Sequence, residues 1–273
     1  MKTPYAIKVA GYVSELTRRN FKVYFKKTIV PLNEPIIKNS IHWVGHATTV
    51  INIDNTIILT DPVTNMYLGY IKRLVKPSIN LTELKTDYVL LSHGHMDHIN
   101  FNSLKKINRD CIILCPKSFE NPISSYGFKN VTGISPGEVY KDNKLQVTVF
   151  KAKHNGSRLL YGNAESNSYL ICCKSKKVFF AGDTSFTDAF SGIECDVAIM
   201  PVGCYKPDEF QSMHCTPEQS FEMFKTMNSK LMLPIHYKTY ILAQEDDGHT
   251  HNILTKINDG RIKIIDIGQT VRI

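Results

Sequence analysis

No stretch of this 273-residue chain approaches the roughly 18 consecutive apolar residues that a membrane-spanning helix requires. The N-terminus lacks the compact apolar core of a secretory signal, so export is not expected. Cysteine occurs seven times, an odd count with no CxxC pair, and Cys172 and Cys173 are adjacent and poorly placed to bridge each other. That argues against a disulfide framework and fits reduced, mostly buried thiols in a cytoplasmic protein. No internal repeat or low-complexity segment is visible. Acidic residues are scarce in one place: residues 1–40 hold Glu15 and Glu34 against eight Lys and Arg, so this arm carries six of the eight net positive charges. The remaining 233 residues are nearly neutral.

The length is enough for one large α/β domain with a full core. Within the arm, Tyr5, Val9, Tyr12, Val13 and Leu16 fall at helical spacing, and Phe21, Val23 and Phe25 alternate as in a strand. Two readings stand: an extra helix and strand packed on the domain with solvated lysines, or a basic aromatic arm resting peripherally on an anionic membrane. The packed arrangement is preferred, because runs of charge usually form solvated faces. Beyond Pro31–Pro35, strands are expected at Ile41–Trp43, Thr49–Ile53 and Thr56–Leu59, the last two joined by an Asp54-Asn55 turn. Residues 62–82 read as a loop and Phe101–Ile107 as a helix. Cys111–Leu114, Gln146–Phe150, Tyr169–Cys172, Val178–Phe180, Asp196–Met200 and Leu231–Ile235 read as further strands. Pro217–Met227 has helical spacing, with Thr216 as N-cap and Pro217 in the first turn. Periodicity supports an α/β, strand-rich chain. His249 and His251, beside Glu245, Asp246 and Asp247, read as a solvated loop.

The segment Ser92-His93-Gly94-His95-Met96-Asp97-His98 follows the apolar run Tyr88–Leu91 directly. Imidazole and carboxylate are the donors that zinc and similar ions take at catalytic sites. Four such donors on one loop exceed what a single ion with an open position can use, so the spacing points to two metals. Further donors also stand where apolar runs stop: His154 after Val147–Phe150, Asp183 after Val178–Gly182, and His236 after Leu231–Ile235. Each alone is a weak signal, since turns and caps favour polar residues. Together they fill two coordination shells.

With these positions in order, the chain resembles the metallo-β-lactamase superfamily, near its branch of N-acyl-phosphatidylethanolamine phospholipase D and ascorbate-6-phosphate lactonase-like hydrolases. The resemblance runs from about Ile41 to Glu245. It rests on Trp43–Thr48, Thr60-Asp61-Pro62, the cluster His93–His98, His154 with Ser157-Arg158, and Phe180–Thr184. Pro201–Pro207, His214–Glu218 and Ile235-His236-Tyr237 complete it.

The resemblance implies a four-layer αββα sandwich over residues 41–273, preceded by the basic extension 1–40, with the site at one edge of two sheets. It implies His93, His95 and His154 on one ion, Asp97, His98 and His236 on the other, and Asp183 bridging them. Asp61 would hold ligand imidazoles in the right tautomer, and His46 would hydrogen-bond the site from behind. His214 would reach a substrate oxygen or leaving group, or else merely enter the following helix. Asp97 could also take a proton. Arg158 could grip a phosphate or serve as a surface ion-pair partner, and Tyr205 is a further substrate contact. The resemblance implies two divalent ions, zinc first and manganese or iron as alternatives, holding a hydroxide that attacks the substrate.

The leading expectation is hydrolysis of a phosphodiester, in a phospholipase-D-like manner. The alternative is a lactonase acting on a phosphorylated or sugar lactone. A di-iron redox protein is disfavoured, because such relatives generally place a carboxylate where His95 stands. Nucleic acid is not an expected partner: only 52 residues separate Asp183 from His236, too few for an inserted binding domain. Two departures bear on substrate. Asp208 follows Pro207, where the phospholipase branch usually carries arginine, and that branch's substrate loops are not clearly matched in residues 62–82 or 158–167.

Overall fold

The computed structural model describes residues 5–158 and 165–273, with side chains from Gly11 onward in the first helix. The strands are β1 (Ser40–Gly45), β2 (Thr48–Ile53), β3 (Thr56–Thr60), β4 (Tyr67–Leu68), β5 (Ile71–Lys72), β6 (Tyr88–Leu90), β7 (Ile112–Cys115) and β8 (Asn130–Gly133). They continue with β9 (Val139–Lys141), β10 (Gln146–Lys151), β11 (Asn167–Cys173), β12 (Lys176–Phe180), β13 (Glu194–Pro201), β14 (Asn228–Ile235) and β15 (Thr270–Arg272). The helices are α1 (Tyr5–Tyr24), α2 (Phe101–Leu104), α3 (Glu120–Ser124), α4 (Pro217–Thr226) and α5 (Asp247–Ile257).

One sheet has the order β15-β1-β2-β3-β6-β7-β8 and the other β14-β13-β12-β11-β10-β9. Alternation fails along β1 and β2, where every residue is buried. The reason is that both faces of their sheet are covered. One face carries Ile41, Trp43, Ile51 and Ile58, which pack with Val147, Tyr169, Phe179 and Val197 of the second sheet. The other carries Val44, Val50, Leu59 and Val89, which meet Leu104 of α2, Ile123 of α3 and Phe119 just before α3. Helix α4 covers β13 and β14, and α5 packs on α4. The expected four layers are therefore present.

The local signals behaved as their chemistry requires. Asp54 and Asn55 sit at φ 51° and 66°, the left-handed region that a two-residue hairpin needs and these side chains tolerate. Thr216 caps α4 through a capping box with Gln219, and Pro217 opens the helix.

Three expectations are corrected. Phe21 and Val23 lie within helix α1 and Phe25 in the turn after it, not in a strand: over so few residues alternation is a weak signal, and 21 and 25 also share the four-residue spacing of a helix face. Residues 62–82 contain the small hairpin β4–β5, anchored by buried Arg73, which donates to the carbonyls of Val44, Val63 and Val75 and to the Tyr240 hydroxyl. His249 and His251 are exposed as expected but lie on α5, whose N-cap Asp246 accepts from the backbone of Gly248 and His249.

Helix α1 is docked rather than free. The Tyr12 hydroxyl donates to the Leu242 carbonyl, Arg19 to those of Ala243 and Glu245, and Asn20 to that of Ile241. Among the described residues, no helix is long and apolar enough to cross a membrane.

Candidate metal centre

Parallel pairing places β3, β6 and β7 side by side in one sheet and β12, β13 and β14 in the other. Their C-terminal ends lead into Asp61, His93–His98, Asp183 and His236, so the chain delivers these groups to one edge of the sandwich. Antiparallel β10 adds His154, and the β1–β2 turn adds His46. The backbone is bent hard there: His46, Asp61, Cys204 and His236 have φ of 56°, 32°, 64° and 69°. Side chains held in that region typically cost on the order of 1 kcal/mol each and tend to collect at functional sites.

Donor atoms gather in overlapping groups whose members lie within 4.8 Å of one another: His93, His95 and His154; His46, Asp97, His98 and His236; His93, His98 and Asp183; and His154, Asp183 and His214. Asp183 lies between them. Its Oδ2 is 3.2 Å from His98 Nε2, 3.6 Å from His214 Nδ1 and 3.9 Å from His93 Nε2, and its Oδ1 is 3.2 Å from His236 Nε2. Asp97 Oδ2 stands 3.6 Å from His98 Nε2 and 3.7 Å from His236 Nε2.

The outer nitrogens of the imidazoles are already in use. His98 Nδ1 donates to Asp61 Oδ2 at 2.6 Å. His93 Nδ1 donates to Ser92 Oγ at 2.9 Å, and that hydroxyl donates to the same Asp61 Oδ2 at 2.5 Å. His154 Nδ1 donates to the Met213 carbonyl at 2.8 Å. These bonds turn Nε2 of His93, His98 and His154 inward, where each can take a metal ion or a proton. Yet His93 Nε2 lies 3.0 Å from His95 Nδ1, His154 Nε2 lies 3.2 Å from the same atom, and His98 Nε2 lies 3.2 Å from His236 Nε2. Converging, buried nitrogen lone pairs are unfavourable without a cation or proton among them, and this donor set is the type that zinc takes. Asp183 Oδ1, His214 Nδ1 and His236 Nδ1 are buried without a hydrogen bond of their own. The residues present therefore fit divalent metal.

Charge within the cluster is tightly coupled. Burial alone would raise the Asp183 and Asp97 carboxyls, but the neighbouring His236 and His98 outweigh it and hold both well below the usual range. Burial would lower His98, yet Asp183, Asp97 and Asp61 push it up to about 10. His93, His95 and His154 are lowered, chiefly by burial. Burial takes His46 and His214 to about 3, so both are neutral. His46 Nε2 donates to Asp97 Oδ2 at 3.0 Å and so orients it. Asp97, anionic and hydrogen-bonded, suits a ligand better than a base.

His214 enters the site as well as preceding α4, packing on His154 with ring centroids 4.9 Å apart. Arg158 lines a cleft of about 560 Å³ together with His95, Asp97, Met96, Leu68, Ile71 and Leu242. Its guanidinium donates to the Ile99 carbonyl at 2.8 Å. Tyr205 is buried, and its hydroxyl is 3.0 Å from Thr250 Oγ1, a contact that braces α5. Of the segment 158–167, where the phospholipase branch's substrate loop is not clearly matched, residues 159–164 lie outside the described residues.

Two contributors have no sequence role assigned above. Ser92 relays Asp61 to His93, and its place beside the first ligand was the available signal. Glu245 accepts from the backbone N–H of Cys204 at 2.5 Å and of Lys206 at 3.1 Å, fixing the turn that abuts His236, and no local pattern marks it. That turn has no spare room. A Cβ at Gly203 would run into the His236 carbonyl, so Gly203→Ala should destabilise the fold by about 1–3 kcal/mol through overpacking and weaken metal binding at His236. Thermal melting with metal titration checks this, and a variant with wild-type values would contradict it.

Residues 56–237 match the beta-lactamase superfamily domain family. The chain is 28% identical over 225 residues to N-acyl-phosphatidylethanolamine-hydrolyzing phospholipase D 1 of Caenorhabditis elegans, covering 72% of this chain but 63% of that protein. It thus spans less than two thirds of that relative's length. A metal-dependent hydrolase of Listeria welshimeri is 25% identical over 247 residues, 87% of this chain and 100% of its own length. A metallo hydrolase of the archaeon Ignicoccus hospitalis has the same fold, with TM-score 0.64 and 20% identity over 85% of this chain and 97% of that one. The family match establishes that the chain belongs to the metallo-β-lactamase superfamily, with likeness to its metal-dependent hydrolases and to its N-acyl-phosphatidylethanolamine phospholipase D-like branch.

Proposed function

We propose that this hydrolase is a dinuclear phosphodiesterase whose substrate is an amphiphilic phosphodiester, cleaved in a phospholipase-D-like manner. The observation that carries the reading is the joining of two donor groups by Asp183 beside a cleft that combines Arg158 with the apolar side chains Leu68, Ile71, Met96 and Leu242. Two divalent ions, with zinc best matched to these donors, would supply a nucleophile at neutral pH and offset charge developing on the phosphoryl oxygens. His93, His95 and His154 would hold one, Asp97, His98 and His236 the other, and Asp183 both.

The protein's own part is largely preorganisation. Asp61 and Ser92 fix the tautomers of His93 and His98, and His46 holds Asp97, so the donor atoms need little rearrangement. Arg158 offers charge-assisted hydrogen bonds to a phosphate oxygen at the mouth of the cleft. The apolar wall accommodates a hydrocarbon portion of the substrate. His214, neutral, steadies the leaving oxygen with an N–H bond instead of acting as a strong acid.

Metal-reconstituted protein should hydrolyse a soluble aryl phosphodiester and N-acylated phospholipid in vesicles, and leave a sugar lactone intact. Turnover of the lactone alone would transfer the chain to the lactonase reading.

A further inference from the structure

Phe21 and Phe25 are 68% and 79% exposed, and Ile29 and Val30 are 61% and 67% exposed. These side chains are not scattered. The Phe21 and Phe25 ring centroids are 5.8 Å apart, Phe25 and Tyr24 5.3 Å, and Tyr24 and Tyr67 5.9 Å. Tyr67 opens the hairpin β4–β5, where Tyr70 is 52% exposed and Leu68 and Ile71 line the cleft with Met96. An aromatic and apolar path thus runs from the end of α1 to the mouth of the metal-bearing cleft. Lys22, Lys26 and Lys27 are exposed on the same segment.

We propose that this face seats the protein on an anionic phospholipid bilayer, with the cleft opening at headgroup level. Exposed aromatics interleaved with lysines match that boundary: rings enter the headgroup region while the cations are drawn to an anionic surface. A second copy of the chain suits the face less well. A two-fold contact would set lysine against lysine, and lysine is depleted in protein–protein interfaces. The proposal builds on the phosphodiesterase reading, but its readout is binding and does not depend on turnover.

The test is co-sedimentation of the full chain with vesicles of phosphatidylcholine alone or mixed with phosphatidylserine, at low and high salt. Two variants, Phe21→Ser/Phe25→Ser and Lys22→Ser/Lys26→Ser/Lys27→Ser, alter exposed side chains outside the metal centre. Unchanged melting and unchanged turnover of a soluble aryl phosphodiester verify that they leave the fold and site intact. The native chain is expected to sediment with the mixed vesicles, and less so in high salt. The phenylalanine variant should lose more than about tenfold in partitioning, the scale for two buried rings, and the lysine variant should lose its preference for the anionic lipid. Native protein that stays in solution, variants that bind as it does, or phenylalanine substitutions that dissolve a dimer without changing vesicle binding would each overturn the proposal. Failure of aryl phosphodiester turnover in the native chain would instead count against the phosphodiesterase reading.

Discussion

Asp183→Ala should lower turnover by at least about a thousandfold and reduce bound metal from two ions per chain to one. The magnitude is that expected on removing a group essential to stabilising charge in the transition state. The cause is positional. One carboxylate oxygen faces His98, His93 and His214, and the other faces His236, so a single side chain serves both donor groups. No neighbouring acid can replace it, because Asp97 Oδ2 is already tied to His46. Kinetics on the aryl phosphodiester and metal analysis by mass spectrometry check the two halves separately. Excess metal should not restore activity. A variant that keeps both ions and half its activity would remove the bridging role.

Asp61→Asn should weaken metal binding by about 10–100-fold, the usual cost of losing a partner behind a ligand imidazole. Asparagine is the informative substitution because Asp61 sits at φ 32°, where asparagine is tolerated and most residues are strained. What is lost is acceptor capacity. Asp61 takes the Ser92 N–H on Oδ1, and the Ser92 hydroxyl and His98 Nδ1 on Oδ2. An amide leaves at least one of these buried donors unmatched and loosens His93 and His98 together. Since the defect is in positioning, saturating metal should recover most of the turnover, unlike Asp183→Ala. Isothermal titration with zinc, paired with kinetics at increasing metal, separates the two behaviours. Affinity equal to that of the native protein would show that the imidazoles need no such support.

Much of the centre is legible in the sequence for one physical reason. Strands buried on both faces read as continuous apolar runs, and in this fold such runs stop where the backbone leaves the sheet. Val178–Gly182 before Asp183 and Leu231–Ile235 before His236 show the pattern, so ligand types after a run could be placed at one edge before any contact was known. What was illegible depends on tertiary contact. Tyr205 lies in a conspicuous motif, yet its hydroxyl turns to Thr250 on a helix more than forty residues later. That helix itself was hidden, because Asp247–Ile257 includes glycine, threonines and histidines of modest helix propensity and depends on the Asp246 cap and on burial of Leu254. The hairpin β4–β5 has strands of two residues, too short for any period, and depends on the buried Arg73 guanidinium. Glu245 acts on backbone amides some forty residues away in sequence, a relation that spacing does not encode.

The most direct test of the proposed two-metal centre is anomalous diffraction at the zinc edge from crystals of the zinc-reconstituted protein. Two peaks are expected, about 3.5–4 Å apart. One should lie among His93, His95 and His154, the other among Asp97, His98 and His236, with the Asp183 carboxylate between them. A single peak, or a second ion away from Asp183, would contradict the account.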